Sequence, residues 1–304
     1  MTPAVHCPES LQTGDTLGFV ATARFLPLPE LESAKAQVEA LDFSVRVHPL
    51  CSRPFHQFGG GDAERAEAFN EMVRDPEIKA LFVVRGGYGT VRMIDRIDFD
   101  ALAQRPIWIC GYSDVTALHA AIQTRLGLMS LHSAMPVGFS SLNAGVLEQT
   151  FAVLQGERPA QRFPATPWDS AGTARGRLLG GNLSVLLSVL GSRDFPDLTE
   201  AVLLIEDVDE YLYHLDRMMR TLLRAGVLHQ VKAVLIGGLT QMKDHEIPFG
   251  WGAEALVREV LMPLGIPFAF DYPSGHRSEN RPMVLGARVE LEVSPEGNCL
   301  RYVD

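Results

Sequence analysis

Short apolar runs alternate with amphipathic stretches over the first half of the chain. Residues 17–21 form an apolar run after Gly14-Asp15 and read as a first strand. Residues 30–41 carry apolar positions at helical spacing, and residues 44–47 read as a short strand. Asp62 is placed to cap a helix through Val73, with Glu64 and Glu67 in or near its first turn, where the helix dipole favours acids. Residues 80–84 are a β-branched run stopped by Gly86-Gly87, and residues 107–110 are another apolar run, followed by a helix over 115–126. Strand alternating with helix predicts a parallel sheet covered on both faces.

Residues 155–175 break this rhythm. They hold Pro159, Pro164 and Pro167 with few periodic apolar positions, and read as a linker. The expected division is a Rossmann-like α/β domain over 1–158, a linker over 159–175, and a mixed, β-rich α/β domain over 176–304. In the second half, residues 178–183 read as a turn into a helix over 183–190. A buried strand at 201–205, a helix at 212–225, a strand at 233–236, a helix at 251–260 and a terminal strand at 289–293 follow. There is no internal repeat.

Composition narrows the functional class. The chain has 304 residues, 46% hydrophobic and 21% charged, as an ordinary globular protein has. A formal net charge of −10 repels phosphate backbones and anionic lipid, which disfavours nucleic acid and membrane surfaces as partners. The opening stretch has no basic and apolar segments of a secretory signal, and no run reaches the ~18 apolar residues of a membrane span. Cys7, Cys51, Cys110 and Cys299 are scattered without a CxxC pair. Reduced thiols and a cytoplasmic location are expected.

Four segments carry candidate chemistry. In Gly111-Tyr112-Ser113-Asp114-Val115-Thr116 an apolar strand runs in and a helix runs out. Such a turn presents a serine hydroxyl at the positive end of a helix, with the Asp114 amide near a developing oxyanion. The competing reading is a serine that caps a helix. Arg85-Gly86-Gly87-Tyr88-Gly89 follows a strand; its backbone amides suit an anion, or its glycines serve a tight turn. Arg92 stands where a dinucleotide fingerprint needs its third glycine, which disfavours a Rossmann-type nucleotide enzyme. Glu206-Asp207-Val208-Asp209-Glu210 follows a strand, where α/β sheets build their sites, or is a solvated acidic loop. No histidine stands at metal-ligand spacing to these acids. His276 lies in a loop after Gly275. Serine needs a base, histidine titrates near neutrality, and a carboxylate orients the imidazole. The order Ser113, Glu206, His276 permits such a triad across both domains.

Taken together, these segments resemble the LD-carboxypeptidase family, which includes the microcin-immunity peptidases. The likeness rests on Gly59–Gly61 with Asp62 and Arg65, Asp75-Pro76-Glu77, Arg85–Gly89 and Gly111–Thr116. It continues through Gly180-Gly181-Asn182, Glu206-Asp207 with Tyr213, Asp216 and Arg217, and Gly275-His276 with Asn280. Two departures are Ala21-Thr22-Ala23, where the family prefers proline-serine, and Met283-Val284-Leu285-Gly286, which lacks the family's proline.

The resemblance implies a Ser113 nucleophile, a His276 base, a Glu206 acid with Glu210 as its rival, and an oxyanion hole from the Gly87 and Asp114 amides. It implies Arg85 and Asn182 as substrate contacts, no metal or organic cofactor, and a homodimer. The expected substrate is a murein tetrapeptide cut at an L,D-bond to release D-alanine. Two other readings stand. A peptidyl-nucleotide peptidase would want an aromatic such as Trp251 or Tyr211 against a base. A non-catalytic two-domain ligand clamp would need neither Ser113 nor His276.

Overall fold

The computed structural model describes residues 3–303; Met1 and Thr2, where the opening stretch begins, and Asp304 lie outside it. The first elements are β1 (Thr16–Val20), α1 (Leu28–Glu39), β2 (Ser44–Val47), α2 (Asp62–Arg74), β3 (Ile78–Val83), α3 (Phe99–Gln104), β4 (Trp108–Gly111) and α4 (Thr116–Leu126). Then come β5 (Ser130–His132), α5 (Val146–Leu154), β6 (Gln161–Phe163), β7 (Gly172–Asn182), α6 (Leu183–Ser188), β8 (Val202–Val208) and α7 (Leu212–Arg224). The chain finishes with β9 (Ala233–Thr240), α8 (Ala253–Leu261), β10 (Phe268–Ala269), β11 (Met283–Leu285), β12 (Arg288–Val293) and β13 (Asn298–Tyr302). The α/β class is the one expected, with two sheets.

The chain forms two compact units, and neither is continuous in sequence. One comprises residues 1–157, 189–196 and 278–286; the other comprises 158–188, 197–277 and 287–304. The first unit holds a six-stranded sheet in the order β11-β5-β4-β3-β1-β2, parallel except for β11. Its central strands are buried over most of their length (Leu81, Phe82, Val83, Ile109 and Cys110 are wholly inaccessible), as a sheet covered on both faces requires. The order reverses at β1 and β3, which places β3 and β4 side by side with their carboxyl ends leading into the two glycine-rich turns.

The second unit holds a seven-stranded sheet in the order β10-β9-β8-β7-β12-β13-β6. From β10 to β7 it is parallel, and from β7 onward antiparallel. Helices α7 and α8 pack together in this unit.

Several expectations are revised. The stretch read as a linker carries β6 and the start of β7, because its sparse apolar positions find partners only across the sheet: Phe163 pairs with Asn298 and Ala174 with Leu291. Residues 178–182 are strand rather than turn, paired with β8 from Leu178↔Val202 to Asn182↔Glu206. β8 runs on through Val208, so Glu206 and Asp207 lie inside a strand, at a register shift between Ile205 and Asp207. The strand at 288–293 is not terminal, since β13 pairs with it. Asp62 is the first residue of α2 rather than its cap; the Gly61 amide is held by Glu64 Oε2 at 2.8 Å.

Candidate active site

In the first unit, β4 ends at Gly111 and a 3-10 turn over Ser113–Val115 leads into α4. Ser113 takes φ 62°, the left-handed region, which costs a non-glycine residue about 1–2 kcal/mol. A serine that merely capped a helix would be extended. The residue at the cap position of α4 is Val115, so the capping alternative does not hold. The strained residue is only 9% exposed. The turn around it is tightly packed. Val115 is wholly buried, and a Cβ on Gly111 would fall 2.9 Å from its side chain. The Gly111 carbonyl accepts from His119 Nε2 at 2.9 Å and from the Ser133 amide at 3.2 Å. Gly86 lies so close that a Cβ there would stand 3.3 Å from Ser113 Oγ, which explains a glycine in the neighbouring turn.

His119 is fully buried, and burial pushes its imidazole down to about 4, so it is neutral at ordinary pH. Since it faces a carbonyl, its proton sits on Nε2. Asp114 is 2% exposed, and its Oδ2 accepts from the Thr90 amide at 2.8 Å. Burial pushes its carboxyl up, against the opposing pull of Thr90, Gly89 and Arg65. Arg85 is half-buried, and its guanidinium makes no hydrogen bond or ion pair among the described residues. Gly87 is exposed in the same turn.

In the second unit, Glu206 is wholly buried in β8, and its Oε2 accepts from His276 Nδ1 at 2.8 Å. A carboxylate on Nδ1 fixes the tautomer that leaves Nε2 as the acceptor, the arrangement a general base needs. Gly275, at φ 96°, lets the loop pass over this carboxylate: a Cβ there would fall 2.5 Å from Glu206 Oε2. Burial pulls the His276 imidazole down. The Glu206 hydrogen bond and the charges of Glu206 and Asp207 outweigh it, leaving His276 above its usual value. Glu206 Oε1 is buried and meets no donor among the described residues.

Glu210, the rival acid, instead pairs with His214 Nδ1 at 2.7 Å, one helical turn away. Asn182 donates to Asp207 Oδ1 at 2.9 Å while its own carbonyl accepts from the Val185 amide at 3.0 Å. Its amide thus organises the β7–α6 junction. Of the residues proposed for the second unit, the fold brings Glu206 and His276 together and gives Asn182 structural partners. In the first unit it brings Ser113 against the Arg85–Gly89 turn.

Residues 17–133 match the LD-carboxypeptidase N-terminal domain and residues 175–291 the LD-carboxypeptidase C-terminal domain. The chain belongs to the LD-carboxypeptidase family. It is a peptidase of that family. It is 30% identical to the Bacillus subtilis (strain 168) protein named "Probable murein peptide carboxypeptidase", over 94% of this chain and 92% of that one. It is 27% identical to the murein tetrapeptide carboxypeptidase of Pseudomonas aeruginosa, over 97% and 99%. The fold matches the crystal structure of muramoyltetrapeptide carboxypeptidase from Oxalobacter formigenes with a TM-score of 0.88 at 24% identity, covering 95% of this chain and 99% of that one.

Several residues around the candidate site escaped sequence reasoning. His119 lies within α4, and nothing in its spacing marks the Gly111 carbonyl as its partner. Arg65, wholly buried in α2, bonds the Thr22 carbonyl and Asp62 and lies over the Phe58 ring at 4.7 Å. An arginine on a core face of α2 was the one legible signal, because an unpaired charge is not tolerated there. Asp207, pushed up to about 6 by burial and by Glu206, accepts from Asn182, Val208 and Ser184.

Proposed function

We propose that this protein is a serine carboxypeptidase that hydrolyses the L,D-bond releasing terminal D-alanine from murein tetrapeptides. The observation that carries the reading is the buried Glu206 carboxylate on His276 Nδ1, in a chain whose Ser113 is held at φ 62° on a strand-to-helix turn. His276 Nε2 takes the proton of Ser113 as the hydroxyl attacks the scissile carbonyl. The Gly87 and Asp114 amides stabilise the oxyanion. His276 then protonates the leaving D-alanine amine, and a water activated by the same imidazole releases the acyl group. Glu206 keeps the imidazole in the required tautomer and supports the imidazolium.

Arg85, which has no hydrogen-bond or ion-pair partner among the described residues, is assigned to the terminal carboxylate that a C-terminal exopeptidase must hold. Arg85→Ala is then expected to raise KM with kcat little changed; an unchanged KM removes that assignment. Cys7, Cys51, Cys110 and Cys299 form no disulfide among the described residues, which suits a reducing compartment, and the reading places the enzyme in the cytoplasm.

The deciding assay is D-alanine release from a diaminopimelate-containing tetrapeptide by the wild type and by Ser113→Ala. Release lost in the variant, with its circular dichroism unchanged, supports both reaction and nucleophile. Equal release by both removes Ser113. No release by either, with turnover of an aminoacyl sulfamoyl nucleotide, replaces the murein substrate.

A further inference from the structure

Two buried charged groups of the first unit that the proposed chemistry leaves unused, Arg65 and the Asp114 side chain, lie in one network. Asp114 follows the nucleophile directly, yet its carboxylate turns away to the other glycine-rich turn, where it accepts the Thr90 amide at 2.8 Å. Thr90 Oγ1 stands 2.8 Å from Thr22 Oγ1. The Thr22 carbonyl in turn accepts from Arg65. Residues that follow β1, β3 and β4 are thereby linked by hydrogen bonds, all of them inaccessible to water or nearly so. A hydrogen bond in such surroundings is electrostatically stronger than one in water.

We propose that the Asp114 side chain is a positioning residue: it ties the Gly86–Gly89 turn to the Ser113 turn and so sets the spacing of the two oxyanion amides, those of Gly87 and Asp114. This rests on the reading of Ser113 as nucleophile. Each amide belongs to a different turn, and backbone donors stabilise a transition state only when their separation is preset. The Asp114–Thr90 bond is a direct link between the two turns. Its role is played at the chemical step and not in binding.

The test compares Asp114→Ala, Asp114→Asn and Thr90→Val with the wild type. Two rates are read: D-alanine release, resolved into kcat and KM, and labelling of Ser113 by a fluorophosphonate, whose phosphoryl oxygen needs the same amides. Asp114→Ala is expected to lower kcat and the labelling rate in parallel, by about 100-fold, with KM within about twofold. Asp114→Asn keeps a carbonyl oxygen for the Thr90 amide and should restore about tenfold of the loss. Thr90→Val, which keeps the amide and loses the hydroxyl, should fall between Asp114→Asn and the wild type.

Wild-type kcat and labelling in a folded Asp114→Ala overturn the proposal. So does equal loss in the alanine and asparagine variants in proportion to their melting temperatures, which marks a structural role alone. If Asp114→Ala does not fold, the asparagine and valine variants decide by the same ordering. If the wild type is labelled at Ser113 but releases no D-alanine, the murein substrate is wrong and the labelling rates still judge Asp114. If the wild type is not labelled at all, the nucleophile reading has failed, and the proposal falls with it.

Discussion

Ser113 and Glu206 both stand at or near the carboxyl end of a parallel strand, β4 in one sheet and β8 in the other, and the chain constrains them by opposite means. At Ser113 the proposed nucleophile itself carries the strain, at φ 62°, while the groups around it are peptide carbonyls, amides and a neutral imidazole. At Glu206 the side chain's own backbone continues a strand, and the unusual conformation is passed to Gly275, at φ 96°. What is stored there is electrostatic: a wholly buried carboxylate beside Asp207, relieved on one oxygen by His276. A hydroxyl can be aimed by backbone geometry because it carries no charge to desolvate. An acid–imidazole pair is aimed by burial, because removing water is what strengthens its mutual attraction. The contrast teaches that backbone damage should cripple one region and charge changes the other.

The largest effect expected from either side is that of Ser113→Ala, a loss of kcat on the order of 10³-fold or more with the fold kept, read by D-alanine release. Glu206→Gln should cost about 10²- to 10⁴-fold, through the wrong tautomer, and should also shift the pH profile. In the wild type, kcat/KM is expected to rise with pH as His276 loses its proton, with the limb above the usual histidine value. Without the Glu206 charge that limb should move down; an unmoved limb would break the electrostatic half of the comparison. Gly275→Ala tests the same region from the backbone side. Its Cβ would fall 2.5 Å from Glu206 Oε2 at a left-handed φ, so kcat should drop by about 10- to 100-fold, with a lower melting temperature. His119→Ala removes one of two donors to the Gly111 carbonyl and leaves a cavity, and is expected to cost about 2–3 kcal/mol in denaturant unfolding.

The smallest and sharpest test is a titration. His119, pushed down to about 4 by burial, should show no imidazole shift by NMR between pH 5.5 and pH 8, values on the order of the ordinary histidine range. His276 should titrate above that range's midpoint. The linkage signs are opposite. The stability His119 contributes is present above the unfolded histidine value and is lost as pH falls toward about 4. That of His276 is present below the unfolded value and is lost as pH rises through its raised folded one.

Much of the first unit could be read along the chain, because β1, β3 and β4 are largely apolar runs set off by glycines and polar turns, and β2 alternates polar and apolar residues. The short elements could not. β5, β10 and β11 are two or three residues long, and β6 sits among prolines, so none repeats long enough to show a period. The site divided in the same way. Ser113 stood out by its strand-to-helix setting, and Gly275-His276 by a glycine before an imidazole. That His276 would meet Glu206 and not Glu210 was open, since both acids lie in the same short run. β8 settles it by extending through Val208, which keeps Glu206 inside the sheet. Glu210 lies beyond the strand, one turn from His214 on α7.

By itself, then, the sequence determined the classes of element, the parallel α/β character and the residue types that carry the chemistry. Those follow from local periodicity and from which side chains can hold a proton or attack a carbonyl. The tertiary structure alone decided which acid faces which histidine, that the supposed linker is sheet, and that Asn182 holds Asp207 instead of standing open. It also decided that Asp114 reaches back to Thr90, 24 positions earlier. Each of these is a contact between residues far apart in the chain, and its energy exists only once burial has removed the water that would otherwise satisfy the same groups.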